Sequence, residues 1–481
     1  MLAFLIDLAG AGPLAAETGT WAPVMTSERT APAGPRTDRR TVNRAVFGAS
    51  FGFFVDMFDV YLPTIALIPA MSYFTPASMS PGTQAIVSAL IFVATLLGRP
   101  VGSVIFGRLA DRAGRRRVTL WSVAGCGVCT ALIAALPGYA MIGIAGVIAL
   151  IVLRLADGIF MGGEYTGATP LAMETSPHGR RGWYGGLVGA GFAASYCAIA
   201  LVTLVTLQVA PQGGPVAAYS RWGWRVPFIV GALLCLVFLV WFARAVPESP
   251  TWQRTEKVRN PVREVVLGAS RRQFLQVFVM MTGIWFTSNM ASGLLPSSLR
   301  HEGHVTATEV TAALVVVQAV HAILFPYLGL LSERIGRRAF LAGNGVAVAV
   351  VCSAGFAGLA TGRLSGFLPV LAATFVIRIT GGSMFAITPS YLCERFPPAT
   401  RGSGFGLGYG TPLLITSFYA YYQDWLGNVM PHGYTPVALL VLGGALLTAG
   451  ALAGPETRDV DVSARAWQPH GPTPRTGGEN A

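Results

Sequence analysis

Charge is what this sequence has least of. Only 12% of its 481 residues are Asp, Glu, Lys or Arg, about half the roughly 25% usual in soluble domains. Lysine is nearly missing: Lys257 is the only one, and arginine supplies the remaining positive charge. The six cysteines (126, 129, 197, 235, 352 and 393) all fall inside apolar stretches. Cys126 and Cys129 form one C-x2-C, but no second pair at ligand spacing exists, so small apolar packing residues account for them. No G-x4-G-K-[ST] is present, which disfavours ATP-driven work. Without H-E-x-x-H or G-x-S-x-G, a membrane protease or hydrolase has no support. Short alternating strands are missing too, which excludes a membrane β-barrel. Neither an enzyme, a metal nor a cofactor is expected.

What fills the chain is apolar: 53% of residues, in runs of about 20 or more, the length that crosses roughly 30 Å of hydrocarbon as a helix. The 58 glycines suit close helix packing in lipid. Twelve spans are predicted, at roughly 45–70, 84–106, 118–137, 141–168, 183–208, 223–245, 273–297, 308–331, 339–361, 366–393, 402–424 and 434–453. The fold class is an all-α integral membrane protein. A net charge of +12 in a soluble protein suggests nucleic acid. Here the arginines gather at one set of helix ends, so nucleic acid is not an expected partner and the lipid bilayer is. That face carries residues 108–117, Arg180, Arg181, the segment 244–272, Arg334, Arg337, Arg338, Arg395 and Arg401, while the opposite face has chiefly Arg221, Arg225, Arg300 and Arg363. By the positive-inside rule both termini are expected in the cytoplasm, with the chain in the inner (plasma) membrane.

Residues 1–43 are rich in Ala, Pro, Thr and Arg and are expected to be a disordered cytoplasmic segment. They lack a basic leader before an apolar core, so a signal peptide is not expected, and Met25 is an alternative start. Residues 246–272 are the one long polar interruption, a linker between six-span halves at 44–245 and 273–453. The Pro/Gly/polar tail 454–481 is expected to be disordered and cytoplasmic.

Two echoes relate the halves. Gly107-Arg108-Leu109-Ala110-Asp111-Arg112-Ala113-Gly114-Arg115-Arg116-Arg117 returns as Gly329-Leu330-Leu331-Ser332-Glu333-Arg334-Ile335-Gly336-Arg337-Arg338. Likewise Thr169-Pro170, Glu174, Pro177 and Arg181-Gly182 return as Thr388-Pro389, Glu394, Pro397 and Arg401-Gly402. Six being even, the halves share one orientation, the parallel repeat of a six-plus-six transporter with its substrate site between the halves.

These motifs resemble those of the major facilitator superfamily: the loop at 107–117 resembles its signature loop, and 329–338 the second-half copy. Arg154-x3-Gly158-x3-Gly162-Gly163-Glu164-x2-Gly167-Ala168 resembles the fourth span of metabolite:proton symporters. Pro247-Glu248-Ser249-Pro250-x-Trp252 resembles the end of the sixth span in that group and in sugar and aromatic-acid porters. Asp56-Met57-Phe58-Asp59 departs from the Glu-Trp-Tyr-Asp of metabolite symporters and is closer to the paired-acid first span of aromatic-acid symporters. The resemblance implies a monomeric secondary transporter that moves a small molecule with protons by alternating access. It also implies that Asp111, Arg112 and Arg115, and in the second half Glu333, Arg334 and Arg337, brace one half against the other. Gly107, Gly114 and Gly336 allow the close approach, and the same loops also set topology. A loop aspartate can accept hydrogen bonds at a facing helix N-terminus.

Ionisable groups inside spans narrow the chemistry, since each costs roughly 2.5–3.5 kcal/mol at a helix centre and faces a partner or a wet cavity. Asp56 and Asp59 lie three apart on one helix face. They are candidates for proton coupling, with Asp59 preferred, or a structural set with a buried arginine. Glu164 has no partner one turn away in its span, about 15 Å beyond Arg154, and is a further proton carrier candidate. Arg154 and Arg378 sit at comparable depth in the fourth and tenth spans. Guanidinium binds carboxylate through paired hydrogen bonds, so an organic anion is the expected substrate. The competing reading is that each arginine neutralises a nearby acid, such as Asp157 one turn from Arg154; Arg99 is assigned a structural role. His321, one turn after Gln318, is either a proton relay or a packing residue. Trp285, Phe286, Asn289 and Tyr391 are candidates to line a pocket, or core packing. The fifth span lacks the Gly-Pro pair typical of drug antiporters, which lowers export. A proton-coupled importer of a small mono-, di- or aromatic carboxylate is the leading reading. An exporter, a betaine or other zwitterion symporter, and a non-transporting sensor are the alternatives.

Overall fold

The computed structural model describes residues 38–462 except 77, 214, 215 and 304. Its described residues form helices and connecting turns, and eleven helices are long and apolar enough to cross a membrane. The first half contains α1 (Arg39–Leu62), α2 (Pro81–Ala113), α3 (Arg115–Ala134), α4 (Ala145–Thr175), α5 (Arg181–Val209) and α6 (Arg225–Ala245). The second contains α7 (Arg271–Ser288), α8 (Ala307–Ile335), α9 (Arg337–Ala347), α10 (Phe367–Gly382), α11 (Arg401–Gly410) and α12 (Thr435–Ala453). Several continue through irregular turns: α1 to Tyr73, α7 to Arg300, α9 to Ala360 and α10 to Arg395. With α11 and its continuations these make the twelve-helix, two-half architecture.

The eleventh span falls short of a continuous helix. Arg401–Gly410, Leu413–Thr416 and Tyr419–Gly427 follow one another with turns between. Pro412 has no N–H to offer the Gly408 carbonyl one turn back, and the Thr411 N–H and hydroxyl both donate to the Leu407 carbonyl, at 3.0 and 2.6 Å. Such breaks survive at membrane depth where the freed groups find protein partners.

Two boundaries differ from the sequence reading. Helix α1 already starts at Arg39, so residues 39–43 belong to it; the rest of the expected N-terminal disorder, with Met25, lies outside the described residues. On the other side, residues 455–462 are not a free tail. Glu456 accepts hydrogen bonds from the backbone N–H of Arg337 (2.8 Å) and Arg338 (3.1 Å) at the start of α9. Val460 and Val462 are buried. An acid at a helix N-terminus completes orphan donors and favours the dipole, and that holds the chain down. Residues 463–481 lie outside the described part.

Within the first half α2 and α4 touch backbone to backbone. A Cβ on Gly102 would stand 1.9 Å from the Ile159 carbonyl oxygen, closer than any side chain tolerates. Gly102→Ala is therefore expected to lower stability by about 1–3 kcal/mol through forced separation of the two helices. Thermal unfolding in detergent reads this, and an unchanged midpoint would contradict the packing described.

Candidate functional site

The halves meet at the arginine-rich face through paired devices. Gly114 and Gly336 turn α2 into α3 and α8 into α9 at φ +115° and +95°, a backbone region that favours glycine. The turns put Asp111 and Glu333 opposite helices of the other half. Asp111 accepts hydrogen bonds from Gly402 N and Ser403 N, both at 2.8 Å, in the first turn of α11. Glu333 accepts one from Gly182 N in the first turn of α5. Beside these, Gly107 lies against Ser403, and Gly182 and Gly329 approach each other without room for a Cβ on either.

Buried ion pairs back each device. Arg115 binds Asp111 at 2.6 Å and Glu174 at 3.4 Å, and donates to the Pro398 carbonyl across the interface. Arg401 of the second half reaches Glu174 of the first at 2.9 Å. Arg337 binds Glu333 at 2.9 Å and Glu394 at 3.2 Å. Glu248 accepts from the N–H of Arg115 and Arg116 as Glu456 does from Arg337 and Arg338. Ser249 bonds Glu174, and Thr457 bonds Glu394 at 2.7 Å. From sequence, Pro247-Glu248-Ser249 stands out as a motif without a contact for it, and its copy Pro455-Glu456-Thr457 in the same chain is missed. The repeat is broken at one point. Arg181, counterpart of Arg401, does not bind Glu394 but donates to the Val460 carbonyl at 2.6 Å. Arg112 and Arg334 are exposed, and Arg112 binds the linker carbonyl of Arg259 at 2.6 Å rather than the other half. Polar contacts between the halves are thus made by Asp111, Arg115, Glu333 and Arg401, while Arg337 pairs with Glu333 and Glu394 inside the second half.

Deeper in the first half the two α1 acids are separated by their partners. Asp56 receives Arg99 Nη2 at 2.8 and 2.9 Å. Asp59 receives Arg154 Nη1 and the Thr130 hydroxyl, each at 2.7 Å. Arg154 also binds Asp157 at 2.9 Å and donates Nη2 to the Asp59 carbonyl. Arg154 is therefore paired with two carboxylates, the arrangement of the competing reading in which it neutralises nearby acids. Arg99, read from sequence as structural, is the partner of Asp56. Glu164 is different: it is 3% exposed and packs against Gly52, one turn before Asp56, and neither of its oxygens has a hydrogen-bond partner.

The second half contains the converse. Arg378, also 3% exposed, donates Nε to Gln318 Oε1 at 3.1 Å, and Nη1 to the Ala291 carbonyl at 3.0 Å and to the Ser292 hydroxyl. Among the described residues no carboxylate pairs with it, and its Nη2 and the Gln318 Nε2 have no partner. His321 stacks on Phe325 at 4.3 Å with both ring nitrogens unbonded. The guanidinium looks across the interface onto Phe192 and Tyr196 of α5, 5.9 and 5.8 Å from the ring centres.

Between Arg378 and Glu164 six aromatic rings close a circuit. Phe192 meets Phe385 (5.5 Å), Phe385 meets Trp285 (5.8 Å), and Trp285 meets Tyr409 (5.0 Å). Tyr409 stacks on Tyr165 (4.1 Å), Tyr165 meets Phe53 (5.0 Å), and Phe53 returns to Phe192 (6.4 Å). Three rings come from each half. Trp285 is fixed by its Nε1 donating to the Tyr409 carbonyl at 2.8 Å, and Asn289 donates to the Thr416 carbonyl at 2.7 Å. Phe286 packs on Tyr422 of the eleventh span instead. Tyr391 is not one of these rings: its hydroxyl accepts from Gln276, whose amide also binds the Gly450 carbonyl near the arginine-rich face. It lies thirteen residues past Arg378 on a roughly continuous helix, about 20 Å.

The face geometry generates a test. With Cys393 as sole cysteine, buried in the turn whose carbonyl Arg401 holds, Asp111→Asn is expected to speed maleimide labelling roughly tenfold, given a charge–dipole contact of about 1–2 kcal/mol. An unchanged rate would mean that Asp111 does not hold this face closed.

Comparison with known proteins agrees with this architecture. The sequence profile of the Major Facilitator Superfamily matches residues 49–292 and 277–469. The chain is 31% identical over 382 residues to the alpha-ketoglutarate permease of Escherichia coli, covering 78% of this chain and 84% of that protein. It is 27% identical over 429 residues to the ectoine/proline transporter ProP of Corynebacterium glutamicum, covering 85% and 84%. Among solved structures, the proton:xylose symporter XylE bound to 6-bromo-6-deoxy-D-glucose superposes with a TM-score of 0.67 at 16% identity, covering 86% of this chain and 94% of that one. With its two six-helix halves and paired loop devices, the chain is a multi-pass membrane transporter that belongs to the Major Facilitator Superfamily.

Proposed function

We propose that this transporter imports a small carboxylate-bearing solute together with protons, by alternating access between its halves. In this reading it acts as a monomer in the inner (plasma) membrane, with the arginine-rich face and both termini in the cytoplasm; the halves are 44–245 and 273–453, joined by the linker 246–272. The observation that carries the reading is a pair of unmatched buried groups. Among the described residues Arg99 and Arg154 have carboxylates, Arg378 has none, and Glu164 has no donor. A buried charge without a partner is costly, so each of these groups gains from a ligand. The free Nη2 of Arg378 and Nε2 of Gln318 offer two donors to the two oxygens of a carboxylate. A proton on Glu164 cancels its charge.

The order along the pathway follows from the helix directions. Helices α4 and α10 both run toward the arginine-rich face, and Arg378 lies on the outer side of the aromatic circuit with Glu164 beyond it. Solute from outside meets Arg378 first. With the carboxylate neutralising Arg378 and a proton neutralising Glu164, the interface holds no bare charge, and the halves can rock. The contacts of Asp111 and Glu333 then break, the inner face opens, and both cargoes leave. The alpha-ketoglutarate permease and the proline/betaine transporter of Escherichia coli are named for solutes that share a carboxylate, which fits a site built on Arg378. A second reading, a betaine or other zwitterion, draws on the aromatic circuit, since ring faces attract a cationic group.

Two substitutions test the assignment. Arg378→Gln is expected to raise KM for the carboxylate substrate roughly 10- to 100-fold, the loss of one or two charge-assisted hydrogen bonds; an unchanged KM would remove the clamp. Glu164→Gln is expected to abolish proton-driven accumulation in vesicles while solute exchange continues. If accumulation persists there, the proton travels through His321, Asp56 or Asp59 instead.

A further inference from the structure

A second basic site lies outside the transport path. A groove of ≈ 610 Å³ is lined by Arg108 and Arg112 at the end of α2 and by Arg259, Arg263, Glu264 and Leu267 of the linker. All four arginines are exposed, and none has a carboxylate within ion-pair distance among the described residues. The single acid in the lining is engaged, its Oε1 accepting from Ala269 N at 2.8 Å. Topology alone asks for basic residues at this face; it does not ask for four guanidiniums around one cavity with Glu264 as the single acid in its lining.

The surroundings name the ligand. Leu267, which lines the groove, is 71% exposed, and Val104 and Ile105, one turn before Arg108, are among the exposed apolar residues of α2. A guanidinium cluster beside lipid-level apolar side chains fits a headgroup phosphate whose acyl chains lie along the helix. From these features we infer that the groove binds an anionic phospholipid of the leaflet at the arginine-rich face.

The position gives the site a consequence. Arg108 and Arg112 flank Asp111, which caps α11. The opposite wall is the linker helix Pro261–Val266, whose Val265 is buried in the core with Val277 and Phe405 of the second half. Trp252 of the linker donates Nε1 to the Asp111 carbonyl at 2.9 Å. A bound headgroup therefore ties the end of α2 to a segment seated on the second half, and it favours the state in which this face is closed. Because the arginines are exposed, salt weakens the binding.

The test uses the full chain in phosphatidylcholine nanodiscs supplied with phosphatidylglycerol, counting retained lipid by native mass spectrometry. Wild type and the charge-keeping R259K/R263K are expected to retain phosphatidylglycerol roughly tenfold more tightly than R259Q/R263Q. Inorganic phosphate or glycerol phosphate at equal concentration is expected to leave it in place. Equal retention by wild type and R259Q/R263Q overturns the site. Displacement by inorganic phosphate overturns the lipid assignment, because the groove would then hold a free anion.

Discussion

A charge inside a bilayer-spanning bundle must be neutralised or solvated, and this constraint organises the molecule. Arg99 and Arg154 answer it with Asp56, Asp59 and Asp157 inside the first half. Such pairs add little net stability over apolar packing, but breaking one leaves a bare charge and costs about 3–5 kcal/mol. They therefore fix how α1, α2 and α4 sit together. Against that background, the two groups left unmatched stand out, one in each half, on either side of an aromatic circuit that both halves build. A transporter whose cargo completes its own charge balance needs such groups, since the empty interface must resist moving and the loaded one must not.

The closed face is held by the same physics in another form. Asp111 and Glu333 each complete the open N–H groups of a helix in the opposite half. Glu248 and Glu456 do the same for α3 and α9 within their own halves. The Asp111 and Glu333 contacts are short in range, made at a helix end and cross between the halves, so a small rotation of one half against the other would break them. The difference between Arg401, which binds Glu174, and Arg181, which holds the 455–462 segment, makes the two sides of this face unequal.

Much of this was legible in the chain. Apolar run length gives the helices, and the echo of 107–117 at 329–338 gives the two halves. The chemistry of a loop acid near a helix start anticipates the contact made by Asp111. Partner choice was not legible: that Asp56 turns to Arg99 and Asp59 to Arg154 depends on which helices pack together, a long-range fact. Tyr391 is aromatic and in a span, which makes it a pocket candidate; its contact with Gln276 near the arginine-rich face is again a long-range fact. The 455–462 segment read as tail because its composition is polar. Its Pro-Glu-Thr copies the Pro-Glu-Ser at 247–249, and the backbone N–H groups of α9 hold it. The six-ring circuit draws single residues from six helices, and no local pattern announces it.

The central claim is that a carboxylate-bearing solute and protons move together through this interface. Uptake by the purified protein in liposomes, with labelled mono-, di- and aromatic carboxylates and a betaine, with and without an inward proton gradient, tests it most directly. The account predicts accumulation of at least one carboxylate-bearing solute above its external concentration only when the gradient is present. Accumulation that ignores the gradient, or that is confined to solutes lacking a carboxylate, would contradict it.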